Sequence, residues 1–310
     1  MSTSAIFLHN NQLRVSDTPA PEAGPDEVVI AVERVSLNAG EARIAWDPDK
    51  PAGWDAVGIV QKSSRNGHGP AVGNRVATWG QSGAWSTHRV VDHRDVAVVP
   101  PSVDDLSAAA LPVAGLTALR SIRQLGLSSG QRILISGASG GVGHLAVQLA
   151  QNCGLDTTAV VGSEASRRWL LERGLVEADK VKLASELAAP ADAPFDGAID
   201  VAGGPVLERL VHAVAPGATI LLVGGASDRP AALDVRFLSD RGLNLVSFNN
   251  YASAGIDLAL LLDLVVAGAL KIAATSGGDW SLLVEKPLTE LITRGKVTFA
   301  VSSVMRGAAS

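Results

Sequence analysis

Cysteine is almost missing from this chain. Cys153 is the only one in 310 residues, so no internal disulfide can form and no multi-cysteine metal site is available. Tyrosine is equally scarce: Tyr251 stands alone, and chemistry that uses a phenol as proton donor has no second candidate. Basic residues form no run, and 26 Lys and Arg face 31 Asp and Glu for a formal net charge of −5. That balance lacks the cationic surface of general nucleic-acid binding, so no nucleic-acid partner is expected. The N-terminus has no basic segment followed by an apolar one, which argues against a secretory signal. Leu258–Leu270 is interrupted by Asp263 and is too short to span a bilayer. These absences predict a soluble, cytoplasmic protein without a membrane partner, long enough for two domains.

Glycine, by contrast, is concentrated where it carries meaning. Arg132–Ser136 reads as a short buried strand, residues 137–142 as a turn, and Gly143–Asn152 as a helix. Gly140 and Gly141 remove side chains, so a phosphate can approach the backbone. Gly143 lets the helix pack closely on the strand, and the helix start offers unpaired N–H groups to an anion. Ala138 stands where the first glycine of the usual fingerprint would be, with Ser139 and Val142 completing the turn. A second strand, Thr157–Val161, follows at the right distance for a dinucleotide-binding βαβ unit.

Two kinds of patterning divide the chain. Before residue 110, β-branched runs at Glu27–Val35, Ala56–Gln61, Arg75–Trp79, Ala84–Val91 and Val96–Val99 are punctuated by Gly, Pro and Asn. From Ser107 the runs alternate: helix Ser107–Leu125, strand Arg132–Ser136, helix Gly143–Asn152, strand Thr157–Val161, helix Ser166–Arg173, strand Gly197–Val201, helix Val206–Val214, strands Thr219–Val223 and Leu243–Phe248, and helix Ile256–Ala267. Alternation of this kind predicts an α/β, doubly wound parallel sheet. Strand-like Leu270–Ala273 and Val297–Val301 then suggest a return to the first domain.

A series of segments spread over nearly the whole chain carries a resemblance. They are Val35-Ser-Leu-Asn38, Gly53-Trp-Asp-Ala-Val-Gly58, Val72-Gly-Asn-Arg-Val76, Gly83-Ala-Trp-Ser86, Ala109–Ala118, Ala138–Gly143, Phe195–Gly204 and Gly295-Lys296. In this order and spacing the chain resembles the medium-chain dehydrogenase/reductase superfamily, in its zinc-independent quinone oxidoreductase and enoyl reductase branch. The resemblance implies a GroES-like β domain over residues 1–116 and 269–310, and a Rossmann domain over 117–268. Zinc-dependent relatives have a cysteine ligand at the place of Asn38 and a histidine ligand where Gly53-Trp54-Asp55 has Trp54. The histidines at 9, 68, 88, 93, 144 and 212 are scattered without ligand spacing. No zinc is therefore expected, and without a Lewis acid plain alcohol oxidation is disfavoured.

The second strand ends Val160-Val161-Gly162-Ser163 with no acid at its tip, where NAD-preferring folds place one. Ser163 could bond a 2′-phosphate and Arg167 or Arg168 could neutralise it, while Glu164 speaks for NADH. The reading favours NADPH over NADH. By position in the family, Thr117, Val201, Ala202, Val223, Gly224, Gly225, Phe248 and Asn249 are further cofactor contacts, although Phe248 also reads as ordinary core. Lys296 matches a Gly-Lys near the cofactor, or lies on the surface.

Without zinc, the family reaction is hydride transfer from NADPH to an α,β-unsaturated carbonyl or a quinone. Asn38 is then expected to orient the nicotinamide ribose or the substrate oxygen, unless it only caps a turn. Many relatives carry tyrosines a few residues later; here Glu41, Arg43, Trp46 and Trp54 occupy the region. Arg43 could hold an enolate oxygen or an anionic group, or pair with Glu41 or Asp47. Trp46, Trp54, Trp79 and Trp85 read as domain core before they read as a substrate wall. The competing function is a dinucleotide-binding structural or regulatory protein without turnover. The apolar strand Leu243–Phe248 would form an open sheet edge, so a homodimer is expected.

Overall fold

The computed structural model describes residues 2–10, 12–187 and 194–302. The chain divides into two compact units. One comprises Met1–Leu116, Ala252–Gly268 and Ile272–Ser310, the other Thr117–Tyr251 and Ala269–Lys271.

The first unit begins with a hairpin absent from the sequence-based expectation. Strands β1 (Ser2–His9) and β2 (Gln12–Pro19) pair antiparallel, with Ser2 opposite Pro19 and His9 opposite Gln12. β2 is largely polar and partly exposed, so its hydrophobic alternation is weak. The chain reverses through Asn10, whose φ of 46° is a value asparagine tolerates better than most residues. Next come β3 (Glu27–Leu37), β4 (Asp55–Lys62), β5 (Arg75–Trp79), β6 (His88–Asp92) and β7 (Val96–Val98). β3 is the hub: it runs antiparallel to β4 and, over Glu27–Ala31, to β6.

The expected strand at Ala84–Val91 begins only at His88. Its earlier part is tied to loops instead, with Trp85 N donating to Ala52 O and Ile6 N to Trp85 O, both at 2.8 Å. Trp85 is fully buried, and the Trp46 ring lies 5.5 Å from it and 6.0 Å from Trp54. These tryptophans belong to the core around Val35, Leu37, Trp280 and Phe299.

Helix α1 (Asp105–Leu125) carries the chain into the second unit. Asp104 caps it, accepting from Ser107 N at 2.9 Å. The second unit then alternates β8 (Arg132–Ser136), α2 (Gly143–Asn152), β9 (Asp156–Val161), α3 (Glu164–Glu172), β10 (Val181–Leu183), β11 (Phe195–Asp200), α4 (Pro205–Ala213), β12 (Val214–Leu222), α5 (Val235–Asp240) and β13 (Asn244–Ser247). All six strands are parallel, in the order β10-β9-β8-β11-β12-β13. The chain winds outwards from β8 through β9 to β10, then returns to β8's other side with β11. That reversal opens a crevice beyond the carboxyl ends of β8 and β11, the place where such sheets bind ligands. Ile133, Leu134 and Ile135 are fully buried, as a central parallel strand requires. β13 is the sheet's edge.

The expected boundary at residue 268 needs correction. Helix α6 (Gly255–Val266) belongs with the first unit. Ala254 N donates to Asp95 Oδ1 at 2.8 Å, and a Cβ at Gly255 would sit 2.7 Å from Arg94 O, so the helix start is keyed to that loop. The segment Leu270–Ala273 forms no strand. Lys271 instead exchanges two bonds with the Gln148 side chain, N to Oε1 at 2.8 Å and Nε2 to O at 3.0 Å. Strands β14 (Ala274–Asp279) and β15 (Lys296–Ala300) pair in parallel, and β15 joins β3 antiparallel. The first unit's sheet thus runs β14-β15-β3-β4-β5-β7, built from both chain ends. Among the described residues, no helix is long and apolar enough to cross a membrane.

Candidate active site

The second unit holds a glycine-rich turn at its topological switch. After β8, the turn is pinned by Ala138 N to Val160 O (3.2 Å) and Gly140 N to Gly137 O (2.8 Å). Helix α2 then opens at Val142 with no side-chain cap. His144 N donates to Gly140 O at 3.2 Å, no side chain caps the neighbouring N–H groups, and the positive end of the helix dipole lies behind them. Gly143 has no room for a side chain: a Cβ there would lie 2.2 Å from Gly137 O and 2.7 Å from Ala138 Cα. His144, next in line and fully buried, brings Nδ1 within 2.8 Å of Gly140 O and steadies the same turn. Ser139, Gly140, Gly141 and Val142 remain partly exposed, so a ligand can reach this backbone.

Across the switch, a buried hydroxyl–carboxylate pair shapes the loop after β11. Ser136 Oγ donates to Asp200 and accepts from Val201 N at 2.9 Å and Ala202 N at 3.1 Å. Asp200 in turn accepts from Gly203 N at 3.1 Å. Burial raises the Asp200 carboxyl above its ordinary value, and these bonds offset only part of that rise. The loop after β12 is fastened to the same residues, with Val223 N donating to Asp200 O at 2.9 Å and Ala226 N to Val201 O at 3.2 Å. Val201, Ala202 and Val223 are half-buried and Gly224 and Gly225 exposed, which lines one rim of the crevice. Phe248 and Asn249 follow β13, the first half-buried and the second exposed, and Thr117 is buried in α1.

The tip of β9 differs from expectation in two respects. Ser163 is the N-cap of α3: its Oγ accepts from Ser166 N at 3.2 Å and also bonds the Ser166 hydroxyl. That hydroxyl is spent locally rather than offered to a phosphate. Arg167 is spent as well, 3.3 Å from Glu164 and bonded to Glu186. Arg168 is exposed and, among the described residues, enters no hydrogen bond or ion pair. Gly162 is exposed, with open space about it.

The first unit holds, by itself, a buried polar cluster at the end of β3. Asn38 is 8% exposed, Glu41 1%, Asp55 0% and Lys296 3%, so all four have left water. Asn38 Nδ2 donates to Glu41 Oε2 (3.1 Å) and Asp55 Oδ1 (3.0 Å), while Lys296 Nζ donates to Asn38 Oδ1 (2.6 Å) and Leu37 O (3.0 Å). Glu41 also accepts from Asn38 N and Trp54 N, both at 2.7 Å. Asp55 takes Ser36 Oγ at 2.7 Å and Val113 N at 3.2 Å. Val113 follows Pro112, the proline inside α1, so Asp55 accepts from the helix backbone beside that proline. Burial, with the Asp55 carboxylate beside it, pushes Glu41 up to about 8. Burial likewise pushes the Lys296 ammonium down.

Arg89 is also fully buried, bonded to Thr78 Oγ1 (2.7 Å), Trp54 O (2.9 Å) and Ser82 O (3.0 Å), and desolvation lowers it to about 10. Arg43 lies outside the cluster: it is exposed, with Nη1 3.4 Å from Ala39 O. Lys296 is interior rather than on the surface.

Sequence reasoning passed over Glu41, Asp55, Ser136 and Asp200 as working residues. The signal was available for three of them, since each is a polar group set at the end of an otherwise apolar strand run. Glu41 gives no such sign.

Among the described residues, no three His, Cys, Asp or Glu side chains come together to hold a metal ion. Asp55 and Glu41 are already taken by N–H and O–H donors.

The family description "zinc-binding dehydrogenase" matches residues 141–267. The highly reducing polyketide synthase dmxL2 of Cryptosporiopsis sp. is 27% identical over 94% of this chain, which spans only 12% of that protein's length. The quinone oxidoreductase structure from Coxiella burnetii superposes with a TM-score of 0.79 at 23% identity, covering 97% of this chain and 100% of that one. Escherichia coli quinone oxidoreductase in complex with NADPH gives 0.79 at 19% identity, covering 96% and 99%. These likenesses fix the fold as a GroES-like unit joined to a Rossmann unit. The glycine-rich crossover opens the stretch matched over residues 141–267, and the chain as a whole shares the fold of medium-chain dehydrogenases/reductases of the quinone oxidoreductase kind.

Proposed function

We propose that the protein is an NADPH-dependent reductase of quinones or of C=C bonds conjugated to a carbonyl, working without zinc. The observation that carries this reading is the uncapped start of α2 over Gly143, a cradle that only a side-chain-free backbone leaves open. It suits the pyrophosphate of a dinucleotide through dipole and N–H donors together. NADPH, when bound, supplies the hydride for an electrophilic carbon. The chain's own contribution is orientation: the Ser136–Asp200 pair holds the loop of Val201 and Ala202, and the glycines after β12 keep its rim low. Tyr251, the one phenol, is 72% exposed, so solvent is the proton source in this reading. Titration of NADPH by fluorescence, then its oxidation by a panel of small enones and quinones with NADH alongside, tests the proposal. Binding without turnover of any acceptor would favour a non-catalytic dinucleotide-binding protein.

Arg168 is the cation left to meet a 2′-phosphate. Arg168→Ala should weaken NADPH binding roughly 10-fold or more, the worth of a charge-assisted hydrogen bond, and leave NADH binding as it was. An equal loss for both cofactors would refute the assignment.

The homodimer proposal rests on β13, whose outer edge pairs with no other strand among the described residues and carries the exposed Val246. Two copies joined edge to edge would continue the sheet. Light scattering should then give about twice the mass of one chain, and Val246→Lys should halve it by placing like charges at the seam. A wild-type monomer sinks the idea. The cytoplasm remains the proposed location.

A further inference from the structure

Strands β9 and β10 run side by side and end level, with Leu183 opposite Val161. Three residues beyond each end stands a glutamate, Glu164 opening α3 and Glu186 in the short turn after β10, and Arg167 reaches both. Glu186 is fixed in place by more than the arginine. Its Oε2 accepts from Leu183 N at 2.8 Å as well as from Arg167 Nη2. The Arg167 guanidinium first, and then the Leu183 N–H, hold the Glu186 carboxyl below its ordinary value, so it is ionised near neutral pH. Arg167 Nε is buried and meets no acceptor among the described residues, so the guanidinium is pinned at its Nη end. Two carboxylates thus stand against Arg167 and Arg168, and the first of these arginines is committed.

We propose that Glu186 sets the cofactor preference of this protein, by withholding Arg167 from a 2′-phosphate and placing a negative charge beside it. The inference rests on the dinucleotide reading and lies wholly within the second unit. It sharpens that reading: NADPH is favoured through Arg168, by a smaller margin than two adjacent free arginines would give. A second strand without an acid at its tip is the usual mark of NADPH. Here the end of the neighbouring strand supplies the acid instead. A phosphate that drew Arg167 across would leave Glu186 ionised and unpaired next to a second anion, and that repulsion opposes the gain. Both effects act against NADPH, and neither bears on NADH, which carries no phosphate at that hydroxyl.

Glu186→Gln keeps an oxygen for Leu183 N and removes the charge. Fluorescence titration of the full chain should show NADPH binding about 10-fold more tightly to this variant than to the wild type, the worth of one charge-assisted hydrogen bond, with NADH within about twofold. The gain should depend on Arg167: in an Arg167→Met background, Glu186→Gln should tighten NADPH by no more than about twofold, since less than a hydrogen bond is then at stake. No gain for NADPH, an equal gain for both dinucleotides, weaker NADH binding, or the same gain without Arg167 would each overturn the proposal.

The clamp can also be read with no ligand present. In the protein labelled with ¹⁵N at arginine, with Arg167→Met assigning the signal, the Arg167 Nε proton should exchange with water at least about 10-fold more slowly than that of exposed Arg168. Glu186→Gln should bring the two rates together. Exchange indifferent to Glu186→Gln overturns the clamp. If the wild type binds neither dinucleotide, the functional reading falls, and these rates still decide whether Glu186 holds Arg167.

Discussion

Gly143→Ala is expected to weaken NADPH binding by more than about 100-fold and to lower thermal stability at the same time. The added methyl would meet Gly137 O at 2.2 Å, Gly137 C at 2.7 Å and Ala138 Cα at 2.7 Å. All three are backbone atoms, so no flexible side chain can swing aside. The turn they belong to is pinned by Ala138 N to Val160 O and Gly140 N to Gly137 O. Relief has to come from displacing the start of α2, which is where the proposed phosphate donors are. Overpacking of this kind costs about 1–3 kcal/mol in stability. The loss of aligned N–H groups adds to the binding defect, because a shift of about 1 Å spoils hydrogen bonds that depend on distance and angle. Gly162→Ala is the comparison: its Cβ would meet nothing within 4 Å, so its melting temperature should match the wild type. Fluorescence titration and thermal melts of both variants check the argument, and unaltered NADPH binding by Gly143→Ala would refute it.

The second unit was legible because its signals are local. Arg132–Ser136, the glycine turn and Gly143–Asn152 follow one another in sequence, and each states its conformation through side-chain size and branching. β8 and α2 accordingly have the expected bounds. The hairpin of β1 and β2 escaped because its residues are only partly buried and the periodicity is faint. Helix α6 was visible as a helix but not as a member of the first unit, since nothing in Gly255–Val266 says which surface it will meet. That information lies at Asp95 and Ala254, 159 residues apart in the chain.

The same limit hid the Asn38 cluster. Asn38 and Glu41 are neighbours, but Asp55 comes from β4 and Lys296 from β15, 258 residues beyond Asn38. Composition offered the opposite cue, because lysine and glutamate are ordinarily surface residues. Lys296 read equally well as exposed. Only the pairing of β15 with β3, Val297 opposite Leu37, brings its ammonium to Asn38. The arginines after β9 show a subtler limit. Sequence placed Arg167 and Arg168 in one neighbourhood, yet Glu186 from a later turn occupies the first and leaves the second.

A buried carboxyl whose pKa is raised makes stability depend on pH in a defined direction. Glu41 stands at about 8 in the folded chain against 4.5 for an unperturbed side chain. Between those values the folded state holds a proton that the unfolded state has released, so stability must fall as pH rises. The contribution is complete below about pH 4.5 and gone above about pH 8. Its upper bound is about 5 kcal/mol, at 1.36 kcal/mol per pKa unit. Lys296 acts in the other sense: its lowered ammonium adds stability as pH rises up to 10.5, so its titration opposes the Glu41 slope wherever the two overlap. The melting transition of the unit containing Glu41 should accordingly drop by several degrees, on the order of 10 °C at most, from pH 5 to pH 8. Glu41→Gln separates this from other titrations. Its amide NH2 would face N–H donors that Glu41 now accepts, so the variant melts lower at every pH. It has no proton to lose, so its pH 5 to pH 8 slope should be much flatter than the wild type's. Parallel slopes for the two proteins would mean that Glu41 is ionised throughout, with Lys296 and the N–H groups of Asn38 and Trp54 outweighing the cost of burying a second carboxylate beside Asp55.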